Sequence, residues 1–156
     1  MIDVQLAAFM TGGVSIIAAS RGPDNAPTIA RAAGCRLSAD RARVTVLLAR
    51  SQAGALLEAA EATGAVSVVF SQPSSHRTIQ LKGNDARVCP ATPGDETLVA
   101  RYADAFAAEL CPMGYAEQMA RALVWAPEGD FAALTFSPSA AFDQTPGPRA
   151  GAALKR

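Results

Sequence analysis

The strand-forming segments of this chain follow one another through turns, without a strict alternation of strand and helix. "VSIIAAS" (14–20) reads as a buried strand, and "RGPDNAP" turns the chain with Gly, Pro, Asp and Asn. A second strand covers about 28–37. "RVTVLLA" (43–49) is a third, β-branched at its start, and "AVSVVFS" (65–71) a fourth. "RTIQLKGNDARVC" reads as one long fifth strand bent near Gly83, and "DFAALTFSP" as the last. A doubly wound parallel sheet needs a crossover after each strand, and that pattern is missing. The order fits a mostly β protein of the α+β class, a small antiparallel barrel with flanking helices.

Helical signals are fewer. "DVQLAAFMTGG" makes a short helix with Val4, Leu6, Ala7 and Met10 on one side. Ser51 stands where it can cap a helix from Gln52 to about Thr63, with Gly64 as its stop. Leu56, Leu57, Ala59 and Ala60 give that helix an apolar side. Thr92-Pro93 is a cap and first-turn pair for a helix through Leu110, and a shorter helix is expected between Gly114 and Leu123. The tail from about 138 to 156 reads as irregular. No linker or repeat divides the chain, so residues 1–156 are expected to form one domain.

Composition limits the partners. Fourteen basic residues balance fourteen acidic ones, so the chain carries no broad footprint for nucleic acid or an acidic membrane surface. Any anion site is local. The three cysteines are widely spaced, and there is one histidine. That pattern gives neither a disulfide framework nor a metal site. No apolar run is long enough for a membrane span, and a cytoplasmic protein is the expectation.

Three places can carry chemistry. In "SHRTIQLKG", alternation puts Thr78, Gln80 and Lys82 on one face and Ile79 and Leu81 on the other. The polar trio faces either solvent or a ligand, and His76 and Arg77 stand at its edge. In "ARSQAG", Arg50 and Ser51 precede or open a helix, whose free N–H groups suit a phosphate; the plain alternative is ordinary capping. Arg31, among small residues in "APTIARAAGCRL", is either an exposed charge or projects into a groove. Trp125 is read as a core or interface residue. Walker, Rossmann, GxSxG and HExxH signatures are absent.

Taken together, "GVSIIAAS", "APTIARAAG", "RVTVLLARSQAGALLEAAEATGAVSVVFS" and "SHRTIQLKG" resemble the pyridoxamine 5'-phosphate oxidase-like proteins over roughly residues 4–90. The tail "FDQTPGP" is similar to that of a subgroup. The resemblance implies a six-stranded antiparallel split β-barrel, a homodimer, and FMN held in grooves between the subunits. It implies an FMN-dependent oxidoreductase acting on a small molecule. It matches Arg31 to the flavin-phosphate arginine of the second strand. It matches Ser51 and Gln52, with Arg50 adjacent, to the contacts opening the helix. Arg77 and Thr78 match those on the long strand, which Gln80 and Lys82 extend. The chain departs from the oxidase itself. Ala33 stands where a lysine closes the second-strand motif, Gln52 and Ala53 replace an Arg-Lys pair, and the C-terminal Trp/Arg motif has no counterpart. The rivals are a non-enzymatic flavin carrier, a haem binder using His76, and a deazaflavin-dependent reductase of the same fold.

Overall fold

In a computed structural model of the chain, residues 2–154 are described. Four α-helices accompany one antiparallel sheet, whose nine strands lie in the order β6-β7-β3-β2-β1-β4-β5-β8-β9. The strands are β1 (Ser15–Arg21), β2 (Pro27–Leu37), β3 (Val44–Ala49), β4 (Val66–Ser71), β5 (Thr78–Gly83), β6 (Arg87–Pro90), β7 (Phe131–Phe136), β8 (Ala140–Asp143) and β9 (Ala152–Ala153). The helices are α1 (Val4–Met10), α2 (Arg50–Thr63), α3 (Pro93–Leu110) and α4 (Glu117–Ala122). None is long and apolar enough to cross a membrane. The α+β class and the antiparallel arrangement agree with the sequence reading. The ladder is open, ending on β6 and β9.

The core follows from period-two alternation. Burial along β1 and β4 alternates residue by residue, and Ile16, Ala18, Val68 and Phe70 point inward. Ile79 and Leu81 of β5 join them, as the alternation of that segment requires. β3 is buried along its whole length because β2 and β7 flank it and helices cover it. The predicted apolar side of α2 is in place: Leu56, Leu57, Ala59 and Ala60 are all buried. Gly64 closes that helix in the left-handed region at φ 69°.

Four expectations need correction. The long fifth strand is two strands with different neighbours: β5 pairs with β4 and β8, whereas β6 pairs with β7. The tail is not irregular as far as Leu154, because β8 and β9 lie in it; its last two residues are outside the described range. The N-cap of α2 is Ala49, and Ser51 sits inside the first turn. Val4 is exposed, because only the Met10 side of α1 meets the core.

The helix α3 is fixed at its start by an ion pair whose carboxylate is buried and whose guanidinium, on Arg36, is partly exposed. Asp95 is 1% exposed and accepts from Arg36 Nε at 2.7 Å, from Thr92 N at 2.7 Å and from Thr92 Oγ1 at 2.9 Å. Burial alone would raise the Asp95 pKa. The hydrogen bonds from Arg36 and Thr92 outweigh that and hold it below the ordinary aspartate value. At the middle of α3, the buried Tyr102 hydroxyl donates to Val14 O at 2.7 Å.

The change of partner occurs at Gly83. A Cβ there would lie 2.6 Å from Phe136 Cδ2, 3.1 Å from Ser137 O and 3.3 Å from Val66 Cγ1. Gly83→Ala is therefore expected to destabilise the fold by about 1–3 kcal/mol through overpacking. Gly54, in α2, has nothing within 4 Å of an added Cβ. Gly54→Ala is expected to stabilise by about 0.5–1 kcal/mol, the helix-propensity difference. Urea unfolding of both variants checks the pair, and a neutral Gly83→Ala would refute the close approach.

Candidate functional site

The inward alternation has an outward counterpart. Cross-strand register aligns Arg31, Ile17, Val69, Gln80 and Phe142 in one row across β2, β1, β4, β5 and β8. Ser15, Ser71 and Thr78 make the next row. Adjacent strands are about 4.8 Å apart, so Arg31 and Gln80 lie roughly 14 Å apart on the same face. The face mixes hydroxyls, one guanidinium and half-buried aliphatic residues. Ile29, also on it, is 71% exposed.

Hydrogen bonds organise this face. Arg31 Nη1 donates to Ser15 Oγ at 2.8 Å. Ser71 Oγ and Thr78 Oγ1 are 2.7 Å apart. Gln80 Nε2 donates to Ser67 Oγ at 2.8 Å, and Gln80 Oε1 accepts from Gln144 Nε2 at 3.0 Å. The backbone N–H of Thr78 donates to Thr145 Oγ1 at 3.0 Å. The "DQTP" segment of the tail is thus laid against the polar face of β5. Lys82 extends the face at its exposed end, with Nζ 5.2 Å from the Phe142 ring centre.

The start of α2 adjoins Arg31. The β2–β3 ladder ends at the Ala32–Leu48 pair, each one residue along the chain from Arg31 and from Ala49, the α2 N-cap. Here the structure gives the predicted residues internal partners. Arg50 N donates to Asp130 O at 2.7 Å. Ser51 N and Oγ donate to the Asp130 carboxylate, the hydroxyl at 2.5 Å and the amide at 3.2 Å. Gln52 Nε2 donates to Trp125 O at 3.4 Å. A carboxylate of this chain already sits where an external anion would bind a helix terminus. Trp125 is 67% exposed and is not a core residue.

The turn between β4 and β5 places the remaining candidates. His76 lies exposed at φ 58°, in the left-handed region, and its N–H donates to Gln72 O at 2.9 Å. Arg77 is turned toward α1, with its guanidinium carbon 4.3 Å from the Phe9 ring centre. The turn is pinned to α3 by Glu109, which accepts from Ser74 N at 2.9 Å, from the Ser74 hydroxyl, and from Gln72 Nε2 at 3.4 Å. Burial opposes the Glu109 charge, but these hydrogen bonds outweigh it and hold its pKa below the ordinary glutamate value.

The structure therefore brings Arg31, Thr78, Gln80 and Lys82 onto one face. It sets Arg50, Ser51 and Gln52 at the adjoining helix start, and it directs Arg77 elsewhere. Sequence reasoning missed Ser15, Ser67, Ser71, Asp130, Gln144 and Thr145. The three serines had a signal, since each stands at an outward position of a strand flanking β2 or β5. Asp130 had none. No cysteine supplies a nucleophile on this face: Cys35 is buried, and burial pushes its thiol up to about 12.

No family model and no curated protein sequence matches the chain. Solved structures do. HupZ from Group A Streptococcus is 16% identical with a TM-score of 0.57, covering 97% of this chain and 100% of its own. An F420 reductase is 16% identical with a TM-score of 0.54, covering 86% and 93%. A putative pyridoxamine 5'-phosphate oxidase from Lactobacillus delbrueckii is 10% identical with a TM-score of 0.51, covering 90% and 92%. The chain is thus an α+β protein built on one antiparallel sheet with a polar outward face. Its fold is that of the split-barrel proteins related to pyridoxamine 5'-phosphate oxidase.

Because the folded-state pKa of Glu109 is depressed, its hold on the turn is complete above about pH 4.5 and is lost as pH falls through the lower folded value. Glu109→Gln should loosen the turn at neutral pH. Amide exchange at Ser74 is expected to rise in that variant while exchange in β3 is unchanged. Unchanged protection at Ser74 would show that the turn does not depend on Glu109.

Proposed function

We propose that the chain is an FMN-binding oxidoreductase acting as a homodimer, with the flavin on the outward face between β2 and β5. The carrying observation is the register that aligns Arg31, Ser15, Ser71, Thr78 and Gln80 across adjacent strands. Among the described residues Arg31 makes one side-chain hydrogen bond, to Ser15, and the remaining donors of its fork suit a phosphate. The hydroxyl row and Gln80 offer donors and acceptors for a ribityl chain or a ring edge. On this reading the strands from β7 to β5 correspond to the six-stranded split barrel.

The helix start fits less directly. Ser51 can contact a phosphate only if Asp130 moves, because its N–H and hydroxyl are both committed to that carboxylate. Arg50, Ser51 and Gln52 are all exposed, and of the three only Ser51 is held by the carboxylate. Bound FMN would supply hydride transfer, and the chain would supply binding, orientation and electrostatics. No side chain on the face is assigned as an acid or base.

A second copy of the chain is supported by the same face. Ile17, Ile29, Val69 and Phe142 leave apolar surface beside the polar row, and Ile29 is largely exposed. A twofold interface would cover it and wall the flavin. The three free cysteines fit a reducing cytoplasm. The fold likeness to an F420 reductase supports a second reading, a deazaflavin cofactor on the same face. A haem reading would require His76 as ligand, and that side chain stands exposed at a turn.

The visible spectrum of the purified chain distinguishes these chromophores. Arg31→Ala is expected to weaken FMN by about 1.5–3 kcal/mol, the scale of a charge-assisted hydrogen bond, and to leave riboflavin affinity unchanged. Equal losses for both ligands would remove Arg31 from the phosphate. His76→Ala should stay within about 1 kcal/mol of wild type, and Thr78→Val should cost about 0.5–1.5 kcal/mol. Loss of cofactor in His76→Ala with a silent Thr78→Val would favour haem. Light scattering is expected to give twice the 16.0 kDa chain mass. A stable monomer would remove the intersubunit site.

A further inference from the structure

A cleft of about 490 Å³ opens between α1, the turn before β3, and β8 and β9, with Phe142 among its lining residues. Its walls include Ile2, Leu6, Leu81, Ala141 and Leu154. The volume falls within the range of small-molecule sites, about 300–1,000 Å³. Among the described residues, Arg41 is the only charged side chain lining it.

The position of Arg41 is built into the backbone. It lies at φ 57°, an uncommon conformation for a non-glycine residue, within a turn closed by Arg41 N to Ser38 O at 2.8 Å and Ser38 N to Arg43 O at 3.0 Å. Its Nε donates to Ile2 O at 3.0 Å, which ties the guanidinium to the cleft wall. Neither terminal amino group has a partner among the described residues, and none of their ion pairs includes Arg41. The neighbouring Asp40 carboxylate accepts from Ser38 Oγ and Ala42 N through the single oxygen Oδ1, and the Arg41 charge helps to keep it ionised, without a direct ion pair between the two.

We propose that this cleft binds an amphiphile with an alkyl chain and a carboxylate head. The chain lies against Leu6, Ala141 and Leu154, where each buried methylene leaves water for an apolar wall. The two carboxylate oxygens meet the two terminal nitrogens of Arg41 in a paired contact. A wholly apolar ligand leaves that guanidinium unused, and a small polar anion leaves the walls wet. The site does not rest on the flavin reading, because none of Arg31, Thr78 or Gln80 lines it, although Phe142 of the outward row does.

The test is calorimetric titration of the full chain with decanoate and with decanol, each below its aggregation limit. One saturable site per chain is expected, with decanol about tenfold weaker, the scale of a charge-assisted hydrogen bond. Arg41→Gln should lose that preference by weakening decanoate alone. Ala153→Trp, an exposed position on the rim, should lose both ligands without a change in melting temperature. The proposal is overturned if the wild-type chain shows no saturable binding or binds the two ligands equally. It is also overturned if Ala153→Trp binds both as the wild type does.

Discussion

The chain changes sheet partners within a few residues of Gly83, and the architecture depends on that crossing. β5 remains beside β4 and β8, while β6 emerges against β7 at the far end of the ladder. The intervening residues are held by Ala86 N to Gly64 O at 2.9 Å and by Ser137 N to Asp85 Oδ1 at 2.8 Å. The ring of Phe136 fills the space that any side chain at position 83 would need. Two strands adjacent in sequence are thereby separated in the sheet, and the path between them draws its distant halves together.

This arrangement lets one alternation serve two purposes. Odd and even positions of β1, β4 and β5 sort into a dry interior and a hydroxyl-bearing exterior. Because the register is shared, the exterior residues fall into rows that run across strands. A one-residue slip would exchange Phe70 and Ile79 with the polar rows, so the core that stabilises the sheet also fixes the face that presents Arg31. The geometry of the face is therefore inherited from the packing of the interior.

Much of this was legible in the sequence because it is local. The strand positions, the buried side of α2 and the two faces of β5 follow from periodicity and from breakers such as Gly64. What escaped was long-range. Nothing in "KGNDARVC" reports that its two halves pair with different strands, since that depends on Phe136. The tail read as loop because "AAFD" and "AA" are too short to show alternation; the first is a strand because β5 offers an edge, and the second because β8 then does. Ser51 read as a cap because its partner, Asp130, lies far along the chain. Gln144 and Thr145 were noticed as part of a familiar tail, but their contacts with Gln80 and Thr78 exist only through the sheet.

The carboxylate seated at the start of α2 has an optical consequence. Asp130 and Trp125 belong to the same connection between α4 and β7, and both touch the first turn of α2 through Ser51 and Gln52. An incoming anion that takes the helix terminus must evict Asp130 and shift that connection. The chain has a single tryptophan, and it rides there in contact with water. Its emission colour thus reports whether the terminus is held by the protein's own charge or by a guest.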